Sequence, residues 1–271
     1  MVMQSRMDDV AGLERPPEDL QSCVMVFREN RELASEIKFQ VSLEQAERIR
    51  EWARRRLLPD PHASGEGGDQ YHLSSLYFDT AQLDVFRRNG SFGRSKYRIR
   101  RYGGSTVAFL ERKLKTRGVV SKRRSPVSLT ELDRLGGVEA APGWAGFWYH
   151  QRLLVRQLAP ICQIAYERTA RIAADRNGPI RLTVDRNLRA QPAQGLAFGE
   201  SSAGQLASDG YAIVELKYRR EMPVLFKELA EQFGLNPKPL SKYRLAMVGL
   251  GMACEPVAEE DEQGPGATGH A

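Results

Sequence analysis

Charge and apolarity alternate along several predicted strands of this chain, and that alternation limits what it can fold into. Lys96, Arg98 and Arg100 fall on one face of a segment whose other face carries Tyr97 and Ile99. Glu111, Lys113 and Lys115 lie opposite Leu110 and Leu114. Lys122 and Arg124 share a face, as do Glu215 and Lys217, and Glu36 and Lys38. Side chains on a strand alternate with a period of two, so each segment has a charged side and an apolar side. For a single strand the simplest reading is an antiparallel sheet with one solvated face. From Arg94 to Arg124, however, Glu111 is the only acid among many Lys and Arg residues. Like charges on neighbouring strands repel, and an anion bound between them removes that cost.

The residues also bear on which anion. Nucleic-acid surfaces add aromatic platforms on which bases stack. Here Tyr97 should point away from the basic face, and Tyr102 stands near a turn. Three carboxylates, Glu36, Glu111 and Glu215, each precede a lysine by two positions on the charged faces. A phosphate-backbone surface has no need of them. A divalent metal held against phosphate oxygens does, because Mg²⁺ and Mn²⁺ take oxygen ligands. The mixture favours metal-assisted phosphoryl chemistry, and nucleic acid is not an expected partner.

The chain has 271 residues, a formal net charge of +6 and a pI near 9.3. That is enough for one large domain with a sizeable core, and it favours anionic partners without naming them. Cys23, Cys162 and Cys254 match no zinc or redox spacing and suit a reducing compartment. No apolar run is long enough to span a membrane, and no secretory layout opens the chain, so a cytoplasmic location is expected. Residues 1–30 read as a disordered arm, 31–252 as the folded domain and 253–271 as an acidic disordered tail.

Strands are expected at Ala34–Val41, His72–Asp79, Ser95–Tyr102, Thr106–Lys115, Val119–Val127, Ile161–Ala170 and Tyr211–Tyr218. Gly103-Gly104 and Arg117-Gly118 read as turns. A hairpin across Asn177-Gly178 should join Arg171–Ala174 to Ile180–Leu188. Helices are expected from Ser42, with Gln45 in capping-box position, to Leu57; at Ala81–Asn89, with Gly90 as its cap; at Leu129–Leu135; and at Gly143–Leu158. Two more should run from Pro223 to near Gly234 and onward from Ser241. Gln191–Asp209 reads as a loop.

In this order the residues match a family. The matching pieces are Glu36-Ile37-Lys38-Phe39, Ser75-Leu76-Tyr77-Phe78-Asp79-Thr80, Lys96-Tyr97-Arg98-Ile99-Arg100-Arg101-Tyr102-Gly103 and Leu110-Glu111-Arg112-Lys113. They continue with Tyr166-Glu167-Arg168, Arg181-Leu182-Thr183-Val184-Asp185, Val214-Glu215-Leu216-Lys217 and Ser241-Lys242-Tyr243. The sequence resembles the VTC domain, the polyphosphate polymerase domain of vacuolar transporter chaperone complexes. That domain belongs to the CYTH-like triphosphate tunnel metalloenzymes. The resemblance implies an α+β fold: a closed antiparallel β-barrel with a polar, basic interior and helices packed outside.

It also implies roles. Lys38, Arg98, Arg100, Lys113, Arg168 and Arg181 would line the tunnel as catalytic groups. Lys122, Tyr166, Lys217, Ser241 and Lys242 would bind phosphate, and Glu215 would hold Mn²⁺ or Mg²⁺. Arg123 and Arg124 are alternatives to Lys122. Pro239 stands where the family often has a lysine, and Lys238 is the candidate substitute. The implied partners are a nucleoside triphosphate and polyphosphate, with the γ-phosphate moving onto the chain end. The same tunnel with water as acceptor is a triphosphatase, for which Glu36 and Glu111 are candidate bases. Without turnover it is a polyphosphate-binding module. The oligomeric state is open. His72 and His150 read as structural.

Overall fold

The computed structural model describes residues 34–61, 63, 68–116 and 119–254, with side chains omitted at 34 and 115–120. The predicted N-terminal arm, the tail from residue 255, Cys23, His62 and the Arg117-Gly118 turn lie outside the described residues. Strands β1 (Ala34–Ser42), β3 (Gln70–Asp79), β4 (Ser95–Tyr102), β5 (Val107–Thr116), β6 (Val119–Ser128), β7 (Ala159–Asp175), β8 (Gly178–Pro192) and β10 (Tyr211–Arg219) pair antiparallel. Their order is β1-β10-β8-β7-β3-β4-β5-β6. The short strands β2 (Leu58–Pro59) and β9 (Gln205–Leu206) attach to β7 and β8.

The expectation of a closed barrel needs correcting. β1 and β6 end the strand order and make no ladder with each other. The sheet still curls round: Lys113 on β5 reaches Glu36 on β1 at 3.4 Å. The outer edge of β1 is occupied instead. Phe39 forms an isolated bridge with Pro237, the Lys238 amide donates to the Lys38 carbonyl at 2.8 Å, and Lys38 Nζ donates to the Leu240 carbonyl at 3.2 Å. An edge strand offers unpaired backbone groups that need a partner, and the segment before the last helix meets that need where β6 would have closed the ring.

The alternation read from the sequence explains two separate cores on the outer side of the sheet. Phe39 and Val41, Leu182 and Val184, and Val214 and Leu216 meet helix α1 (Leu43–Arg56), through Ile49 and Trp52, and helix α4 (Val224–Gln232), through Phe226 and Leu229. Tyr97, Ile99 and Leu110 meet Trp148, Tyr149 and Leu153 of helix α3 (Phe147–Arg156). Full burial of such side chains contributes about 1.5–3 kcal/mol each.

Local chemistry sets the boundaries. Ser42 caps α1, its Oγ accepting from the Gln45 amide at 3.1 Å. Gln45 does not return the bond; its side chain donates to the Phe233 carbonyl at 2.6 Å, tying α1 to the end of α4. The expected helix at Ala81–Asn89 shrinks to α2 (Asp84–Arg87), followed by a 3-10 turn at Gly90–Arg94. Leu129–Gly136 is likewise 3-10. Asp175 pairs with Gly178, so Arg176 and Asn177 form the hairpin loop, one position earlier than expected.

Helix α5 (Lys242–Gly249) departs from the outside-helix pattern. Tyr243 stacks on Tyr77 with ring centres 5.4 Å apart, and Tyr77 lies on the same face of β3 as Ser75 and Asp79. Asp79 ties this helix to the start of α2. Its Oδ1 accepts from the Thr80 and Val85 amides at 2.7 and 2.8 Å, and its Oδ2 from the Phe86 amide at 2.9 Å and the Tyr243 hydroxyl at 2.6 Å. One buried carboxylate thus caps α2 and anchors α5. Asp79→Ala should lower the unfolding free energy in urea by about 3 kcal/mol or more, and Tyr243→Phe by about 1–2 kcal/mol. A loss no larger than that of a surface substitution would contradict this anchoring role.

Candidate functional site

The charged faces of the strands converge on the inner side of the curl, around two buried carboxylates. Glu111 is the first. Arg98 Nε and Nη2 each lie 2.7 Å from its Oε2, while Lys122 Nζ at 2.9 Å and Arg124 Nε at 3.3 Å approach Oε1. Strand register makes this possible, since Arg98, Glu111 and Arg124 face one another across β4, β5 and β6. Burial opposes ionisation of Glu111, but Arg98 and Lys122 outweigh it and hold the carboxyl well below its usual range.

Glu215 is the second. Lys242 Nζ lies 2.6 Å from its Oε1 and 2.6 Å from Asp185 Oδ2. Arg168 makes a bidentate pair with Asp185 at 2.6 and 2.7 Å and lies 3.7 Å from Glu215. Lys217 sits between Glu36 and Glu215 at 3.6 and 3.5 Å, and Lys38 joins the same two at 3.1 and 3.8 Å. Lys242, Lys38 and Lys217 overcome burial and keep Glu215 ionised, and Lys217 does the same for Glu36. In turn, Asp185 and Glu215 hold the buried Lys242 well above the ordinary lysine range.

Three lysines are less well matched. Lys96, Lys113 and Lys122 stand directly opposite one another on β4, β5 and β6. Lys96 donates to Ser241 Oγ at 3.0 Å, at the start of α5. Although its side chain reaches solvent, the surrounding protein and then repulsion from Lys38 and Lys113 bring it down to about 7. Burial, only partly offset by Glu111, brings Lys122 to about 8.

The structure brings Lys38, Arg98, Arg100, Lys113, Lys122, Tyr166, Arg168, Arg181, Glu215, Lys217, Ser241 and Lys242 to this one interior. Arg100 donates to Ser75 Oγ at 3.2 Å and to the Tyr166 hydroxyl at 2.9 Å. Arg181 donates to the Tyr71 hydroxyl at 2.7 Å and pairs with Asp60 at 2.7 Å. Arg123 takes no part: it points outward over the Trp148 ring at 4.3 Å. The Lys238 side chain is exposed, and its backbone is what docks on β1. Glu36 and Glu111 pair with cations, and His150 bonds the Gly137 carbonyl at 2.9 Å.

Sequence reasoning gave Asp185 no role, yet it anchors both Arg168 and Lys242. Its signal was its place two and four residues after Thr183 and Arg181, on the same strand face. Asp60 and Tyr71, at a loop and a strand start, carry no alternation of their own; Ser75 and Tyr77, inside β3, stand in a family motif but were given no role because their segment is not charged.

Among the described residues, no group of three or more His, Cys, Asp or Glu side chains converges as a metal cage. Glu215 offers one carboxylate, and Asp185 a second through the shared Lys242. Mg²⁺ is often bound by one or two carboxylates plus phosphate oxygens; both Glu215 oxygens are here engaged by Lys38, Arg168, Lys217 and Lys242, so a metal would have to draw Glu215 away from these cations.

The profile of the VTC domain family matches residues 33–250. A putative adenylate cyclase from Bacillus halodurans has a similar fold, with a TM-score of 0.50 and 18% identity, covering 78% of this chain and 94% of that one. A Hippeastrum protein, described as a putative adenylyl cyclase with dominant triphosphatase activity, matches with a TM-score of 0.49 and 15% identity, covering 79% and 95%. No curated protein matches. The curled antiparallel sheet is thus a fold shared with the Bacillus halodurans protein. The match over residues 33–250 shows that the chain belongs to the VTC domain family.

The lysine row predicts a pH dependence. An unfolded lysine binds its proton up to about pH 10.4, but folded Lys96 releases it near 7. The anion-free fold should therefore lose stability as pH falls from about 10 to about 7, with no further loss from this group below. Lys96→Met should melt higher than the wild type at pH 7 without anion, and the gap should close near pH 10. Inorganic tripolyphosphate should bind the wild type with proton uptake at pH 8, read by calorimetry in buffers of different ionisation heat. Equal uptake by Lys96→Met would rule out this assignment.

Proposed function

We propose that this chain is a metal-dependent phosphotransferase that moves the γ-phosphate of a nucleoside triphosphate onto the end of a polyphosphate chain. The observation that carries this reading is the cross-strand row of Lys96, Lys113 and Lys122, whose repulsion a multiply charged phosphate would relieve. In phosphoryl transfer a protein mainly positions phosphates and neutralises charge on their oxygens. Arg98, Arg100, Arg168 and Arg181 present planar forks to phosphate oxygens, while Lys38, Lys113, Lys122, Lys217 and Lys242 act as point charges. Tyr166 offers its hydroxyl, and Ser241 an oxygen at the start of α5. Mn²⁺ or Mg²⁺ held by Glu215 against the phosphates would polarise their oxygens.

The acceptor favours polyphosphate over water for one reason. A terminal phosphate is already anionic and needs no base, whereas water does. Glu111 and Glu36 are held far below the usual carboxylate range by their cations, which makes them weak general bases.

Purified protein with ATP and Mn²⁺ should yield ADP together with polyphosphate that lengthens on a gel. ADP with only free phosphate would make the chain a triphosphatase, and retention of added polyphosphate without ADP would make it a binding module. Glu215→Gln should abolish metal-dependent turnover while keeping its circular dichroism. Full activity in that variant would overturn the metal assignment.

A further inference from the structure

At the end of the interior away from Lys96 and Ser241, aromatic side chains gather around the β4–β5 hairpin. Tyr71 is the second residue of β3, Tyr102 the last of β4 and Phe109 the third of β5. The Tyr71 and Tyr102 ring centres are 5.8 Å apart, and Tyr102 meets Phe109 edge-on at 5.7 Å. The Arg124 guanidinium lies 3.4 Å from the Phe109 ring centre and 5.4 Å from that of Tyr102. All four residues are half-buried.

Core packing does not account for Phe109. Its neighbours Ala108 and Leu110 are fully buried in the outer core, whereas Phe109 belongs to neither core. It stands opposite Arg100, on the strand face that next carries Glu111 and Lys113. An apolar ring on a charged, half-open face, with a planar cation laid against it, leaves flat surface for another flat group. Through Glu111, which pairs with Arg124, Arg98 and Lys122, this surface lies one carboxylate away from the proposed phosphate-binding groups.

We propose that Tyr102, Phe109 and Arg124 form a nucleobase platform that assigns the nucleoside end of the donor triphosphate to the β4–β5 hairpin end of the tunnel. The inference rests on the phosphotransfer reading above and adds the orientation of the donor. Aromatic rings and guanidinium planes stack on any base, because every base has a π-face. The platform therefore separates nucleoside triphosphates from bare tripolyphosphate, with little choice among bases. The lowering of the Tyr102 phenol to about 8, where Arg100 and Arg124 outweigh burial, fits a ring set among cations.

The test uses the full chain with Mg²⁺ and two probes, the β,γ-imido analogue of ATP and inorganic tripolyphosphate, each titrated by calorimetry. Phe109→Ala should weaken the analogue by about tenfold or more and leave tripolyphosphate affinity unchanged. Phe109→Leu, which keeps apolar bulk but removes the ring face, should do the same, and Phe109→Trp should restore the analogue. An equal factor on both probes, or on neither, overturns the platform. ATP turnover is assayed in parallel: wild-type protein that binds the analogue but makes no ADP fails the phosphotransfer reading alone, and the ratio of affinities still decides the platform.

Discussion

Two carboxylates buried among cations hold the interior of this protein together. A buried charge is expensive unless paired, and removing one partner of a buried pair typically costs about 3–5 kcal/mol. Glu111 gathers side chains from β4 and β6, and Glu215 gathers them from β1, β7 and α5. Each carboxylate sets a cluster of Lys and Arg side chains in fixed positions before any ligand arrives. Pre-set charge of this kind needs no reorganisation when an anion binds. The cost falls above all on Lys96, whose ammonium meets the Ser241 hydroxyl and, across the strands, Lys113.

The arrangement also explains why the fold has two cores. Polar side chains fill the space that a sandwich would give to apolar packing, so hydrophobic burial moves to the outer faces. There α1 and α4 cover β1, β8 and β10, and α3 covers β3, β4 and β5. Asp79 and the Tyr77–Tyr243 stack add a third attachment, drawing α5 onto inner-facing residues.

Much of this was legible in the sequence. Alternation placed the strands to within a few residues, because each charged residue sits two positions from the next on one face, and the ordered motifs named the family. Three things were not legible. Ring closure depends on how the first and last strands meet, which no local pattern encodes; Pro237 and Lys238 decided it. The inward position of α5 depends on Tyr243 finding Asp79, 164 residues earlier. Asp185, though part of a family motif, was given no role because its partners, Arg168 and Lys242, come from another strand and a helix.

A closed barrel has its girth fixed by strand number and stagger. Here the terminal strands β1 and β6 do not pair; Lys113 of β5 reaches across to Glu36 of β1, and the edge of β1 is occupied by Pro237 and Lys238. The bore is therefore gauged by flexible side chains at one place on its circumference and by backbone everywhere else. Such a passage can change its width by moving a lysine and a glutamate, with every ladder bond of the sheet intact.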